Sequence, residues 1–245
     1  MAELRIGTSG WHYDHWRGPF YPDDMASDAY LPFYAERFGT VEVNNAFYQL
    51  PDERTLIDWR NTVPGGFLFA VKASRYITHM KKLKDPAGPV DAFLGRIGVL
   101  GDRLGPVLFQ LPPRWRVDVE RLEAFLEALP AGVRAVFEFR DASWFDDRVY
   151  QALDRYGAAF CIYDLAGTES PHVVTGDFAY VRLHGSGAAY EGAYTEQALG
   201  GWAGACSAWL RSGKDVYVYF DNDAGGAAPN DALALMKMLG VSPGG

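Results

Sequence analysis

Short runs of β-branched and aromatic residues recur along the chain, and segments with helical periodicity separate them. The runs are Leu4–Gly7, Thr40–Asn44, Phe67–Lys72, Val107–Gln110, Ala135–Phe139, Ala159–Tyr163, Tyr180–Leu183 and Val216–Phe220. Strands that alternate with helices indicate a parallel sheet rather than a series of hairpins. Eight strands fit a closed barrel better than an open sheet, because closure removes the exposed edges. We therefore predict the α/β class, as a single (β/α)8 TIM-barrel domain over residues 1–245.

Several of the segments between these strands carry apolar residues at the spacing of a helix. One follows Asp118, which suits an N-cap, and another follows Pro89, which suits a first helical turn. Further helices are predicted over Asp146–Tyr156, Trp202–Leu210 and Asp231–Leu239. The segment Leu165–Asp177, between strands six and seven, contains two glycines and a proline. We expect a loop or one helical turn there, so this helical unit of the barrel is incomplete.

Polar residues collect near the C-terminal end of nearly every predicted strand. Alternation places Glu42 and Asn44 on one face of the second strand. Glu138 and Arg140 likewise share a face of the fifth. The other strands end in, or are followed by, Lys72, Gln110, Asp164, Arg182, His184, Asp221 and Asn222. In a TIM barrel these strand ends meet at one mouth, where catalytic residues collect. A buried salt-bridge network among the charged members of this group, Lys72 included, is the alternative, although burying ions is costly even when they are paired.

The composition limits the classes of partner and the compartment. A formal net charge of −8 at pH 7 does not favour non-specific attraction to nucleic acid or to anionic membranes. No apolar run approaches the ~20 residues of a transmembrane helix, and the N-terminus lacks an apolar signal region. Cys161 and Cys206 match neither a disulfide framework nor a zinc-ligand spacing. We expect a soluble, cytoplasmic protein with a small-molecule substrate and no membrane contact; the oligomeric state stays open.

A set of sequence blocks runs in order between Ile6 and Leu239. The blocks are Gly7–Tyr13, Trp16–Pro22, Thr40–Tyr48, Phe69–Arg75, Ile77–His79, Gln110–Pro113, Glu138–Arg140, Ser143–Trp144, Tyr180–Gly185 and Tyr217–Asp223. Together they resemble the YecE-like family, catalogued as domain of unknown function 72. The resemblance implies a TIM barrel, in agreement with the strand count, and implies no activity. In that family Asn-Ser or Asn-Thr is common in place of Asn45-Ala46, and Phe-Asn in place of Phe220-Asp221.

Candidate catalytic groups lie among the polar strand ends. Acid–base catalysis needs two ionisable groups in unlike environments, and Glu42 and Glu138 form the natural pair, across the barrel mouth from one another. Two carboxylates that face each other across a sugar are also the glycosidase arrangement. Lys72 is either a Schiff-base nucleophile or an ion-pair partner of those carboxylates. His184, which would orient the substrate, completes the predicted catalytic set.

Groups that would bind a substrate surround the same mouth. Glycine-rich loops after strands seven and eight, His184–Gly187 and Asp223–Gly226, suit an anion, although ordinary turns also explain them. Lys72, Arg75 and His79 would clamp a carboxylate or phosphate, and aromatic rings would form walls for a sugar or a base. The predicted substrate-binding residues are Trp11, Tyr13, Asn44, Tyr48, Arg75, His79, Gln110, Arg140, Trp144, Asp164, Arg182, Tyr219, Asp221 and Asn222.

Two functions stay open on the sequence. The first is a hydrolase, lyase or isomerase without an organic cofactor, which acts on a small anionic or polyhydroxylated substrate. The second is a non-catalytic binding protein for a nucleotide, a nucleic-acid end or a sugar. A divalent metal is the less favoured case, since none of the five histidines falls in an HxH or HExxH spacing. We therefore predict no metal ligands and no cofactor.

Overall fold

Eight parallel strands form a nearly closed barrel within residues 2–185, 187 and 189–242, the part of the chain that the computed structural model describes. They are β1 (Leu4–Thr8), β2 (Thr40–Val43), β3 (Leu68–Lys72), β4 (Leu104–Gln110), β5 (Ala135–Glu138), β6 (Ala159–Leu165), β7 (Phe178–Leu183) and β8 (Asp215–Phe220). Their hydrogen-bonded order is β1-β8-β7-β6-β5-β4-β3-β2. The two ends of this order meet where Ser9 and Glu42 form a parallel bridge. The predicted barrel is confirmed.

Helices cover the outside of the barrel. Over the described residues they are α1 (Tyr30–Ala35), α2 (Glu53–Thr62), α3 (Ala87–Ile97), α4 (Val119–Glu127), α5 (Asp147–Arg155), α6 (Glu196–Arg211) and α7 (Ala227–Met238). Short 3-10 turns lie at Asp14–Trp16, Ser27–Ala29, Asn45–Phe47, Gly98–Arg103, Ala142–Trp144 and Ala224–Gly226, and a π-helical turn at Tyr76–Met80. None of the helices in the described ranges is long and apolar enough to cross a membrane.

Side-chain N-caps fix the start of four of the helices, α2, α4, α5 and α6. Asp118 accepts a hydrogen bond from Arg121 N at 3.0 Å, as its predicted role as N-cap of α4 requires. α6 starts before Trp202 because Thr195 caps it, with Oγ1 accepting from Ala198 N at 3.2 Å. Gly200 and Gly201 are exposed near that start. Because glycine disfavours a helix, the sequence did not predict the first turns of α6. α7 also starts earlier than predicted, and α1 and α2 have no counterpart among the predicted helices.

The connection between β6 and β7, all of which is described, contains no helix. A two-residue strand, Thr168–Glu169, pairs antiparallel with β6. Beyond it, Ser170 Oγ accepts from Tyr163 N at 2.9 Å, and Thr175 Oγ1 accepts from Phe160 N at 2.8 Å. These side-chain hydroxyls hold the segment extended beside β6. The prediction of a loop is therefore confirmed, and the alternative of one helical turn is wrong.

The barrel interior is apolar and aromatic over most of its height. It is filled by Ala70, Leu108, Val136, Ala159, Cys161, Phe178, Tyr180, Tyr217 and Tyr219. Arg134 lies at the end where the strands begin, donating to Tyr217 OH at 2.7 Å and to Asp215 Oδ2 at 3.0 Å. A charged layer lies at the opposite end, where the strands finish. The charged layer therefore packs directly on the filled interior of the barrel.

Candidate functional site

Arg182, on β7, lies at the centre of the charged layer and is fully buried. Its Nη2 donates to Glu42 Oε1 at 2.7 Å and to Asp221 Oδ2 at 2.8 Å, and its Nη1 donates to Glu138 Oε2 at 2.8 Å. Its Nε also donates to Glu42 Oε2 at 3.0 Å. Carboxylates from β2, β5 and the end of β8 thus share one guanidinium. We call these four side chains the Arg182 network.

Further donors reach the two glutamates of the network. Ser9 Oγ donates to Glu42 Oε1 at 2.5 Å, Tyr180 OH donates to Glu42 Oε2 at 2.6 Å, and Arg140 Nε donates to Glu138 Oε1. Burial acts to raise the pKa of Glu138, but the guanidiniums of Arg140 and Arg182 outweigh it and hold that pKa well below its usual range. Glu138 therefore stays ionised at neutral pH. These contacts favour the salt-bridge network over an acid–base pair for Glu42 and Glu138.

His184 is held in one protonation state by its neighbours. Its Nε2 lies 3.0 Å from Arg140 Nη2 and 3.1 Å from Arg182 Nη1. Because arginine can only donate, Nε2 must be the acceptor, and the ring proton must sit on Nδ1. Nδ1 lies 2.9 Å from Asp221 Oδ2, although its N–H is poorly aligned with that oxygen. Burial and the Arg182 charge lower the pKa of His184, so the imidazole is neutral and its basic nitrogen is occupied.

Lys72 ends β3 beside this network without joining it. No carboxylate oxygen of the described residues lies within 4.0 Å of its Nζ, which instead lies 4.6 Å from the centre of the Phe47 ring. Burial, followed by repulsion from Arg182, lowers the pKa of Lys72. Lys72 therefore makes no direct ion pair among the described residues, and the carboxylates of the network act on it only at longer range. Its amine is a group whose charged form is destabilised at the mouth.

Lys72, Arg75 and His79 lie together, as the clamp hypothesis requires. The His79 ring packs edge-on against Phe47, with ring centres 5.0 Å apart, and its Nδ1 lies 2.9 Å from Thr78 Oγ1. Burial, and then the charges of Lys72 and Arg75, lower the pKa of His79 to about 4. His79 is therefore neutral at physiological pH. The positive charge of this group comes from Lys72 and the exposed Arg75.

A cleft of about 310 Å³ opens beside the network, between the loops after β1 and β2. Its lining is Gly10, Trp11, His12, Tyr13, Val43, Asn44, Asn45 and Trp59. Asn44 Nδ2 makes a long contact of 3.5 Å with Asp221 Oδ1, while Asn44 Oδ1 has no partner among the described residues. A buried acceptor left unpaired is costly, so a ligand with a hydroxyl or N–H donor would be stabilised there. Gly10, at φ +88°, is required because a Cβ would lie 2.6 Å from Tyr13 OH.

Comparison with known proteins places this architecture in a family. The family model described as "Protein of unknown function DUF72" matches residues 5–244. This chain belongs to the DUF72 family. UPF0759 protein YunF of Bacillus subtilis (strain 168) is 26% identical to it over 278 residues, covering 99% of this chain and 96% of YunF. The family resemblance drawn from the sequence is thus confirmed.

Solved structures of DUF72 proteins have the same fold. A DUF72 family protein from Thermotoga maritima superimposes with a TM-score of 0.88 at 30% identity, over 97% of this chain and 99% of that one. A DUF72 family protein from Enterococcus faecalis gives a TM-score of 0.85 at 21% identity, over 98% and 96%. The barrel is therefore a shared DUF72 architecture. The names of these relatives state no activity.

Three predicted substrate-binding residues of this DUF72 chain lie away from the open mouth. Trp144 is fully buried, stacked on Phe139 at 4.8 Å, so it offers no wall to a sugar or base. Tyr219 fills the barrel interior and its hydroxyl lies 2.7 Å from Thr40 Oγ1. Asn222 Nδ2 donates to Gly192 O and to Asp231 Oδ2, both at 2.8 Å. Asn222 thereby ties the loop after β7 to α7. These positions correct the prediction of direct contact.

Other predicted residues do lie around the DUF72 barrel mouth. Trp11 and Tyr13 line the cleft, Gln110 ends β4, and Tyr48 is exposed after β2. Asp164, the next-to-last residue of β6, is buried, with Oδ1 unpartnered among the described residues, and burial raises the pKa of its carboxyl. The cleft residues His12, Asn45 and Trp59 were missed. Trp59 lies on α2, a helix that was not predicted.

The two glycine-rich loops differ in what the structure shows. In the loop after β7, Ser186 lies outside the described residues. In the loop after β8, Asp223 O accepts from Trp16 Nε1 at 3.0 Å. A Cβ on Gly226, at φ +75°, would lie 2.6 Å from Pro19 Cβ. Gly226 therefore serves close packing against the first loop, which favours the ordinary-turn explanation there.

The three carboxylates of the Arg182 network converge on a guanidinium rather than on a site for a cation. Glu42, Glu138 and Asp221 all accept from Arg182, whose positive charge takes the central position a cation would need. Among the described residues, no group of three or more His, Cys, Asp or Glu side chains is arranged to hold a metal ion.

Proposed function

We propose that this chain is an enzyme of the hydrolase, lyase or isomerase type, acting at the barrel mouth on a small anionic or hydroxyl-bearing substrate. In this proposal Lys72 transfers the proton, and the Arg182 network provides a fixed arrangement of charges beneath the substrate. The observation that carries the proposal is the Lys72 amine, which has no ion pair within 4.0 Å among the described residues and a lowered pKa.

The choice of Lys72 follows from comparing the ionisable groups of the site. A general base needs a pKa near the working pH and a free lone pair. Glu138 is held ionised by two guanidiniums, so it is a poor acid and a weak base. His184 is neutral, but its acceptor nitrogen already faces two arginines. Lys72 has no ion pair within 4.0 Å among the described residues, and burial beside Arg182 lowers its pKa, which is the usual way in which an amine is activated.

The class of substrate follows from the groups that surround Lys72. The exposed Arg75 supplies positive charge beside His79, which favours a carboxylate or phosphate on the substrate. Asn44 Oδ1 lacks a donor and borders the cleft, which favours a hydroxyl or N–H group. The oxygens of Glu42 and Glu138 all accept hydrogen bonds and so need no ligand. Fixed charges of this kind can stabilise charge that develops in a transition state without reorganising.

Two measurements test the proposal. In NMR titration of lysines labelled with 13C at the ε carbon, the Lys72 signal, assigned by its loss in Lys72→Met, should titrate below that of the exposed Lys237. In a turnover screen of sugar phosphates, sugar acids and nucleotides, Lys72→Met should lower kcat by about 100-fold or more, the usual range for a general acid or base. Lys237→Met is the control. An unshifted Lys72 signal, or full turnover by Lys72→Met, contradicts the proposal.

A further inference from the structure

Positive charge is concentrated on two loops at the barrel mouth. Residues 72–84 carry five basic side chains and no acidic one, and residues 111–117 carry two basic side chains and no acidic one. Together they hold seven of the chain's 23 lysines and arginines. The rest of the chain therefore has 16 basic and 31 acidic residues, a net charge of −15. Asp85, which pairs with Lys81 at 3.1 Å, and Asp118 follow the two stretches directly, and the remaining excess of cations gives this surface a local charge opposite in sign to that of the whole molecule. We call the outer members the basic rim; they are Arg75, Lys81, Lys82, Lys84, Arg114 and Arg116.

Contacts join the two loops into one surface. Lys82 Nζ lies 5.9 Å from the centre of the Trp115 ring, and Arg121 Nη1 reaches Lys82 O at 3.5 Å. Leu83 is buried and its N donates to Ile77 O at 3.1 Å, which anchors the loop after β3. Lys82 and Leu83 have φ angles of 48° and 63°, in the left-handed region that non-glycine residues seldom adopt. The lysines are therefore presented by a defined backbone, and strain of this kind clusters at functional sites.

Exposed apolar side chains lie beside the rim. Tyr48 is 82% exposed, Met80 69% and Tyr76 46%, all on the loops after β2 and β3. Tyr48 packs on Phe47, which in turn lies under the Lys72 amine, so these rings reach the mouth itself. Aromatic faces next to a run of cations are the features by which proteins bind single-stranded nucleic acid, with bases on the rings and phosphates on the cations.

We propose that the basic rim binds a single strand of nucleic acid, which lies across the mouth with its bases on Tyr48 and Tyr76. This inference goes beyond the proposed function, since it concerns an extended ligand and does not need Lys72 to act. A single strand suits the surface better than a duplex, because only unpaired bases expose the faces that stack on a ring. The charge asymmetry explains how a chain of net −8 can do this.

The test is fluorescence anisotropy with a labelled 15-nucleotide oligo(dT) and oligo(U), from about 50 to about 200 mM KCl. Binding should weaken with salt, with a slope of log K against log[salt] near −3 if about four phosphates are neutralised, at about −0.7 for each. The triple variant Lys81→Ala, Lys82→Ala and Lys84→Ala should bind at least about 30-fold more weakly at low salt. Tyr76→Ala, which leaves every charge in place, should lose about 5-fold or more.

The control removes three positive charges from the last turns of α5, α6 and α7, at the opposite end of the barrel: Arg155→Ala, Arg211→Ala and Lys237→Ala. It should bind as the parent does. Absence of binding at low salt, a flat salt response, or equal losses in the two triple variants overturns the proposal. Tighter binding of inorganic polyphosphate, insensitive to Tyr76→Ala, also overturns it, as does preference for anionic vesicles. Matching circular dichroism spectra identify the variants that are folded.

Discussion

Replacing Arg182 with methionine removes the positive charge at the centre of the network and keeps a long, unbranched side chain in the space. The parent guanidinium donates to three buried carboxylates at 2.7 to 2.8 Å. Removing one partner of a buried ion pair leaves an uncompensated charge, which costs about 3–5 kcal/mol. Because each carboxylate keeps at least one other neighbour, we take a single such penalty as the lower bound.

That bound is large for a domain of this size. Total stability is about 5–15 kcal/mol, so about a fifth or more of it can be lost through this one side chain. For 150–250 residues each 1 kcal/mol shifts Tm by about 2–4 °C, so Arg182→Met should melt at least about 6–20 °C lower. The size of this Tm shift should also depend on pH. Arg182 helps to hold the pKa values of Glu138 and Asp221 below their usual range, so removing the guanidinium raises both from the lowered values they have in the parent.

Calorimetric Tm measurement at about pH 7.5 and about pH 5 tests this reasoning. A carboxyl group whose folded pKa is lowered contributes stability that is lost as pH falls, so the parent should lose more stability than Arg182→Met and the gap in Tm between them should narrow on acidification. The control is Arg121→Met, a more exposed arginine 3.7 Å from Asp118, which should change Tm by less than about 2 °C. The prediction is contradicted if Arg182→Met melts near the parent's Tm at neutral pH, or if the difference in Tm is the same at both pH values.

Two further predictions concern stability. The pKa of Glu138 is lowered in the folded state, so its stabilisation is present above the unfolded pKa of about 4.3 and is lost as pH falls further. Urea unfolding should therefore show a Glu138→Gln deficit that is largest near neutral pH and shrinks in acid; a constant deficit would contradict this. Gly226→Ala should cost about 1–3 kcal/mol, because the new Cβ meets Pro19 at a left-handed φ. Gly200→Ala, in open space on α6, should be neutral or stabilising by up to about 1 kcal/mol. Equal unfolding curves for the two alanine variants would rule out the packing argument.

The barrel was accessible from sequence because its signals are local and repeated. Each strand is a short apolar run, and period 2 places Glu42, Glu138 and Arg182 on interior faces once the strands are known to be parallel. Their convergence then follows from closure, and it is what the structure shows. The helices that escaped prediction, α1 and α2, carry weaker patterns, with a proline inside the first and few apolar residues in the second.

The chemistry of individual side chains was less accessible, because it depends on distances of a few ångströms. Sequence cannot show that Lys72 stops short of the carboxylates while Arg182 reaches all three. Nor can it separate an aromatic wall from a core residue. Trp144 and Trp11 both sit near strand ends, yet Trp144 stacks within the core and Trp11 lines the cleft. Such differences are set by tertiary packing.

The sharing of one guanidinium restricts how this barrel can diverge. Glu42, Glu138 and Arg182 are each fully buried, so replacing any one of them leaves a charge of opposite sign uncompensated in the interior. Replacing these residues one at a time therefore produces poorly folded chains. Replacing two or three of them together avoids that loss of stability. Exposed positions on the outer helices carry no such coupling and can vary independently. Libraries that aim to reshape the mouth should therefore vary the three buried positions together.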